Sequence, residues 1–122
     1  MKRRERHATP DISLLSSIMA AIDNPEDMAV FLIDLCTPTE LEALADRWRV
    51  VPLLNEGMSY RKVREVSGVS VTTIGRVARY MGTGVGGYDL GLDIMEKLGL
   101  KDEVVEKALA EAEAAEKAEE KK

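Results

Sequence analysis

The chain predicts an all-α fold, and three observations carry that expectation. Apolar residues recur at three- and four-residue spacing through most of its 122 residues, no segment alternates apolar and polar as a strand does, and proline, threonine and glycine punctuate the pattern where helices start and stop. The length suits one compact domain with a modest core, plus a tail. No internal repeat is visible.

Residues 1–9, MKRRERHAT, read as a short basic flexible arm. Pro10 and Asp11 open a first helical pattern in which Ile12, Leu15, Met19 and Ile22 share a face, with an end expected near Asn24. Pro25, Glu26 and Asp27 make a good first turn for a second helix, because proline has no N–H to lose there and acids face the positive end of the dipole. Its apolar face holds Met28, Phe31, Leu32 and Leu35. Thr37, Pro38 and Glu40 then form a capping box, a threonine cap with glutamate three residues on. The third helix it starts carries Leu41, Leu44, Trp48 and Val51 to about Leu54, with Gly57 as the stop. Pro52 predicts a kink or a shortened helix, since it gives up a backbone hydrogen bond and crowds the carbonyl of Trp48.

Residues 58–81, MSYRKVREVSGVSVTTIGRVARYM, are the most informative stretch, with the spacing of two short amphipathic helices across a tight glycine turn. That is the pattern of a helix-turn-helix, over about residues 59–81. Gly68 accepts the positive φ of the turn and Ser70 can cap the second helix. At about 100° per residue, Val71, Val77, Ala78 and Met81 lie within about 60° of Ile74 and form the stripe expected to be buried. Val63, Val66 and Val69 supply the other half of a small core. Thr72, Arg76 and Arg79 fall within about 40° of the opposite pole, with Thr73 and Tyr80 on one flank. Such a face suits the major groove of duplex DNA, where arginine meets guanine edges or phosphates and a threonine methyl meets a thymine methyl.

Charge distribution agrees with that reading better than net charge does. The chain totals −5, yet within residues 58–81 the bases Arg61, Lys62, Arg64, Arg76 and Arg79 face the single acid Glu65. Much of the acidic excess sits in residues 101–122, an Ala/Glu/Lys-rich tail expected to be a solvated or frayed helix, whose only large apolar side chains are Val104, Val105 and Leu109. Between them, residues 82–87 (GTGVGG) read as a flexible linker and residues 88–98 as a sixth, weaker helix. The glycine loop lacks the Lys-Ser/Thr and the preceding strand of a phosphate cradle.

Other chemistry finds little support. Cys36 is the only cysteine and is expected to be a buried thiol, His7 is the only histidine, and no nucleophile–base pair, metal cluster or cofactor loop is visible. The expectation is therefore no enzyme activity, no metal and no cofactor. The basic start is not followed by the apolar block of a signal peptide, and no apolar run spans a bilayer, so a soluble cytoplasmic protein without a membrane partner is expected.

Residues 35–80 as a whole resemble the Trp repressor superfamily, and within it the YerC/YecD branch. The resemblance rests on an L-x-T-P-x-E-x-E-A-L opening from Leu35, the R-x-R-V of Arg47 to Val50, the Ser-x-Arg of Ser59 to Arg61 and the T-I-x-R of Thr73 to Arg76, with GVGGYDLGLD from Gly84 as the branch's continuation. It implies an intertwined all-helical homodimer whose two heads contact successive major grooves of a palindromic operator. It assigns DNA contacts to Arg61, Arg64, Val71, Thr72 and Thr73, while the rotation about the second motif helix independently adds Arg76 and Arg79, with Arg79 expected as a phosphate or groove contact. In tryptophan-binding members Thr37, Arg47 and Arg76 correspond to residues lining the corepressor pocket, whereas Tyr80 stands where a small serine helps hold the amino acid. Tryptophan is therefore not the expected corepressor. The organisation expected is a basic arm over 1–9, a helix-turn-helix domain over 10–98 and an acidic tail over 99–122, in a repressor binding duplex DNA. The alternative is a dimeric helical module whose basic face binds protein or RNA. Trp48 is expected as a core or dimer anchor; the arm either touches DNA or is solvated.

Overall fold

The computed structural model describes residues 10–120, so the basic arm lies outside the described residues. Among them are seven helices: α1 Ser13–Ala21, α2 Pro25–Leu35, α3 Pro38–Asn55, α4 Tyr60–Ser67, α5 Val71–Thr83, α6 Gly87–Lys97 and α7 Lys101–Glu120. The protein is all-α. Two compact units divide it, Met1–Leu41 and Glu42–Lys122. Among the described residues, no helix is long and apolar enough to cross a membrane.

In the first unit, local chemistry sets the helix ends. α1 begins at Ser13, later than Pro10, because the Asp11 carboxylate accepts the Ser13 backbone N–H at 2.9 Å. That bond and a second from the Ser13 side chain hold the Asp11 carboxyl below the usual carboxylate range. Asn24 caps α2 by accepting the Asp27 N–H at 2.8 Å, with Pro25 in the first turn. The capping box forms reciprocally: Thr37 N–H donates to Glu40 Oε1 at 2.8 Å and Glu40 N–H donates to Thr37 Oγ1 at 3.2 Å. The Thr37 backbone bond keeps the Glu40 carboxyl low. No residue of α1 or α2 is buried, although both are largely apolar.

The second unit holds the core, which is built on a run of four buried residues in α3, Val50, Val51, Pro52 and Leu53. Against it pack Val63 of α4, Val69 of the turn, Ile74 and Val77 of α5, Leu92 of α6 and Val105 of α7. α3 is not shortened at Pro52: it continues to Asn55, where Glu56 N–H donates to the Pro52 carbonyl at 3.2 Å and Gly57 closes the helix at φ 84°. The missing N–H is tolerated because the pyrrolidine ring itself is fully buried as core material.

Two further expectations change. The glycine-rich linker is a short elbow, since α5 runs on to Thr83 and α6 starts at Gly87, leaving residues 84–86 between them. α6 ends in a Schellman motif: Gly99, at φ 70°, and Leu100 donate to the carbonyls of Glu96 and Met95 at 3.0 and 3.1 Å. That turn leads directly into α7, whose first half is packed rather than solvated. Val105 is buried, Ala108 and Leu109 lie against the core, and the helix contacts α4 and α6. Beyond Leu109 no side chain larger than alanine is apolar, and the described residues there are exposed apart from a half-buried Ala112.

Removing residues 111–122 is therefore expected to leave the melting temperature unchanged. Removing residues 101–122 is expected to lower stability by about 2–5 kcal/mol, the scale of re-exposing Val105 and Leu109; equal melting curves for both truncations would contradict the packing of α7.

Candidate nucleic-acid interface and the adjoining cavity

The α4–α5 pair is held by three local devices. Ser59 caps α4 by accepting the Lys62 N–H at 3.1 Å, and Gly68 ends it in the left-handed region at φ 73° with its N–H on the Arg64 carbonyl at 2.9 Å. Ser67 spans the turn, its hydroxyl donating to the Val63 carbonyl at 2.6 Å and accepting from Val69 N–H at 3.2 Å. Ser70 then caps α5, accepting the Thr73 N–H at 3.2 Å and donating its hydroxyl to Thr73 Oγ1 at 3.1 Å. Val69, between the two helices, is buried and pins the turn to the core.

What remains outside is a basic face with few internal partners. Arg61, Arg64, Thr72, Arg76 and Arg79 are exposed and Thr73 is half-buried, its hydroxyl engaged by the cap. Arg61 meets Glu65 at 3.3 Å with its side chain 90% exposed, an ion pair too solvated to hold the arginine back from a phosphate. One predicted position differs from its rotation-derived assignment. Val71 is 47% exposed rather than part of the buried stripe, because it is the first residue of α5 and the helix reaches the core only one turn later, at Ile74. Exposure at that point is what the family resemblance requires of it.

First turns sort the helices further. α2, α3, α6 and α7 each carry an acid there, which offsets the positive end of the helix dipole, whereas α4 and α5, like α1, carry none. The two helices of the basic face thus keep their N-terminal partial charge available to an anion.

Further along α5 the chemistry changes. Arg47, Arg76 and Tyr80 line one open cavity of about 430 Å³ with Trp48, Gly84, Val85, Gly87 and Tyr88. The Arg76 guanidinium carbon lies 5.1 Å from the Tyr80 ring centroid, a cation–π contact one helical turn apart. Thr37, the fourth expected pocket residue, belongs to the first unit, where it caps α3. Sequence reasoning missed Tyr88 and assigned Trp48 elsewhere. Trp48 is half-buried, with its ring centroid 6.4 Å from that of Tyr88. For Trp48 the signal lay in a glycine, since a Cβ on Gly91 would stand 2.5 Å from Trp48 Cη2; a Cβ on Gly84 would likewise meet the Tyr80 carbonyl. Cys36, expected to be buried, is half-buried just after α2.

A family model described as Trp repressor protein matches residues 11–96. The chain belongs to the Trp repressor family. The match takes in α1 through most of α6 and stops short of α7. The chain is 39% identical over 80 residues to the protein YerC of Bacillus subtilis (strain 168), covering 66% of this chain and 76% of that one. It is also 39% identical over 66 residues to a Trp operon repressor homolog of Xylella fastidiosa (strain M23), covering 53% and 72% respectively. No solved structure matches it significantly.

In this Trp repressor relative the Trp48 ring that lines the cavity packs against Gly91 of α6 closely enough to test directly. Gly91→Ala is expected to displace the Trp48 ring, changing its emission and costing about 1–3 kcal/mol in denaturant unfolding, as overpacking does. An unchanged emission spectrum and midpoint would show that the close approach carries no constraint.

Proposed function

We propose that the chain is a cytoplasmic, homodimeric transcription regulator, a repressor, that reads duplex DNA with α4–α5 as a helix-turn-helix. The observation that carries this reading is the start of α5. A capped helix N-terminus without acids presents exposed Val71 and Thr72 beside a surface where Arg61, Arg64 and Arg79 are all exposed. An apolar tip suits thymine methyls, threonine suits base edges, and the arginines suit phosphates that fix the register. Thr73 acts by holding the cap as well as by contact. A protein or RNA partner has less to favour it, because an A-form major groove does not admit a helix and the tip is mostly polar and basic.

The same reading accounts for the apolar surface of the first unit. Leu14 is 78% exposed, and Ile18, Val30, Ile33 and Leu35 are also exposed, a density of solvent-facing apolar side chains that a second copy would cover. No catalytic role is proposed. L-Tryptophan is not proposed as corepressor, a reading supported by Tyr80, which stands at the position of the family's small serine and lines the cavity with the Arg76 guanidinium over its ring.

Three measurements follow from this. Binding to duplex DNA should weaken steeply with salt, and Arg64→Ala or Arg79→Ala should each reduce the slope of log affinity against log salt by about one unit; full binding after Arg61, Arg64 and Arg79 all become alanine would end the DNA reading. Sedimentation should give a dimer that Ile18→Asp or Val30→Asp shifts toward monomer, whereas a wild-type monomer at working concentration would remove the dimer. L-Tryptophan at millimolar concentration should leave the melting temperature where it was, and a clear rise would restore it as corepressor.

A further inference from the structure

α7 lies beyond residues 11–96, the part of the chain matched to the family, yet it is built into the second unit. Its side chains that are not exposed, Lys101, Val104, Val105, Ala108, Leu109 and Ala112, recur at three- and four-residue spacing and form one stripe along the helix. α7 contacts α6 and α4; α4 in turn contacts α5, and α5 contacts α6. The four helices therefore close into a ring that packs on the buried run of α3, and α7 is the side that closes it.

α4 needs that closure more than the other members do. It is eight residues long, well below the length at which a helix holds itself, and it buries only Val63. α5 meets it across the turn from Ser67 to Ser70, and α7 meets it where Val66 and Ser67 share a small cleft with Val104, Ala108 and Glu111. One neighbour alone would leave so short a helix free to tilt about its turn. Its direction matters because Arg61 and Arg64 stand on α4 whereas Val71 and Thr72 stand on α5, and both sets have to meet one duplex at once.

We propose that α7 is a positioning helix for DNA reading: docked through Val105, Ala108 and Leu109, it holds α4 at the angle that sets Arg61 and Arg64 alongside the tip of α5. Val105 and Leu109 are its positioning residues. α7 acts through α4 and not by touching the nucleic acid, since outside its stripe it exposes Glu103, Glu106, Glu113 and Glu116, which phosphates repel. The inference rests on the DNA reading proposed above and adds to it a segment outside the matched residues.

Leu109→Asp places a charge in the stripe and leaves the reading face intact. In the full chain, well below its melting temperature and with helix content retained by circular dichroism, it is expected to weaken binding to a mixed-sequence duplex by at least about tenfold. The slope of log affinity against log salt should fall by about two units although Arg61 and Arg64 are both present. Adding Arg61→Ala and Arg64→Ala to that variant should then cost little more, and Leu109→Met, which conserves volume, should keep wild-type affinity and slope. A merely structural role would lower the melting temperature and leave the slope of the folded protein where it was. By linkage, bound DNA must also hold α7 down, so saturating duplex is expected to slow hydrogen exchange at the backbone amides of residues 105–112 by about the same factor. That measurement, made on the wild-type chain, decides the matter if Leu109→Asp does not fold. A folded Leu109→Asp chain with wild-type affinity and slope, or exchange in α7 that is indifferent to bound DNA, overturns the inference alone. A wild-type chain that binds no duplex even at low salt overturns the DNA reading and this inference with it.

Discussion

Four consecutive buried residues in α3, Val50, Val51, Pro52 and Leu53, are the constraint on which the second unit depends. A helix buried on all sides over one turn needs partners on every side, and α4, α5, α6 and α7 each supply one or two apolar side chains to meet it. The partners are short and mostly β-branched, so the surrounding helices are held close by stiff side chains with few rotamers. A small core made this way leaves most of each helix outside it. That is why α4 and α5, only 8 and 13 residues long, still carry a broad exposed face.

The outer face is then organised by caps and charge rather than by packing. Ser59, Gly68, Ser67 and Ser70 satisfy the helix ends with hydrogen bonds from within the pair, and the absence of first-turn acids leaves the N-terminal dipoles of α4 and α5 unopposed. α5 therefore has two chemistries along its length. Its beginning is an exposed polar and apolar tip beside arginines; its end, with Arg76 and Tyr80, closes one side of an aromatic cavity. A single helix thus links the exposed basic face with the cavity lined by arginines and aromatic rings.

Features governed by neighbours in sequence were legible in the chain. The Thr37–Glu40 capping box, Pro25 at a helix start, the Gly68 turn and the Ser70 cap all act over three or four residues, and each is present. Features governed by distant contacts were harder to read. A rotation about α5 assigned Val71 to the core correctly in angle, but angle carries no information about distance along the helix to the nearest core layer. Pro52 looked like a helix breaker because its burial, which compensates the lost bond, depends on four other helices. The GTGVGG run read as a linker because glycine signals both freedom and close approach, and only the Tyr80 carbonyl distinguishes the two at Gly84. The packing of α7 followed from Val105 and Leu109, whose partners on α4 and α6 lie far away in sequence.

The central claim is that α5 reads base sequence in duplex DNA as part of a symmetric pair of heads. Selection of bound fragments from a random duplex pool tests it most directly. The account predicts enrichment of a palindrome whose half-sites lie about one helical turn, or a multiple of it, apart. Recovery of unenriched sequence, or of a single unrepeated half-site, would contradict it.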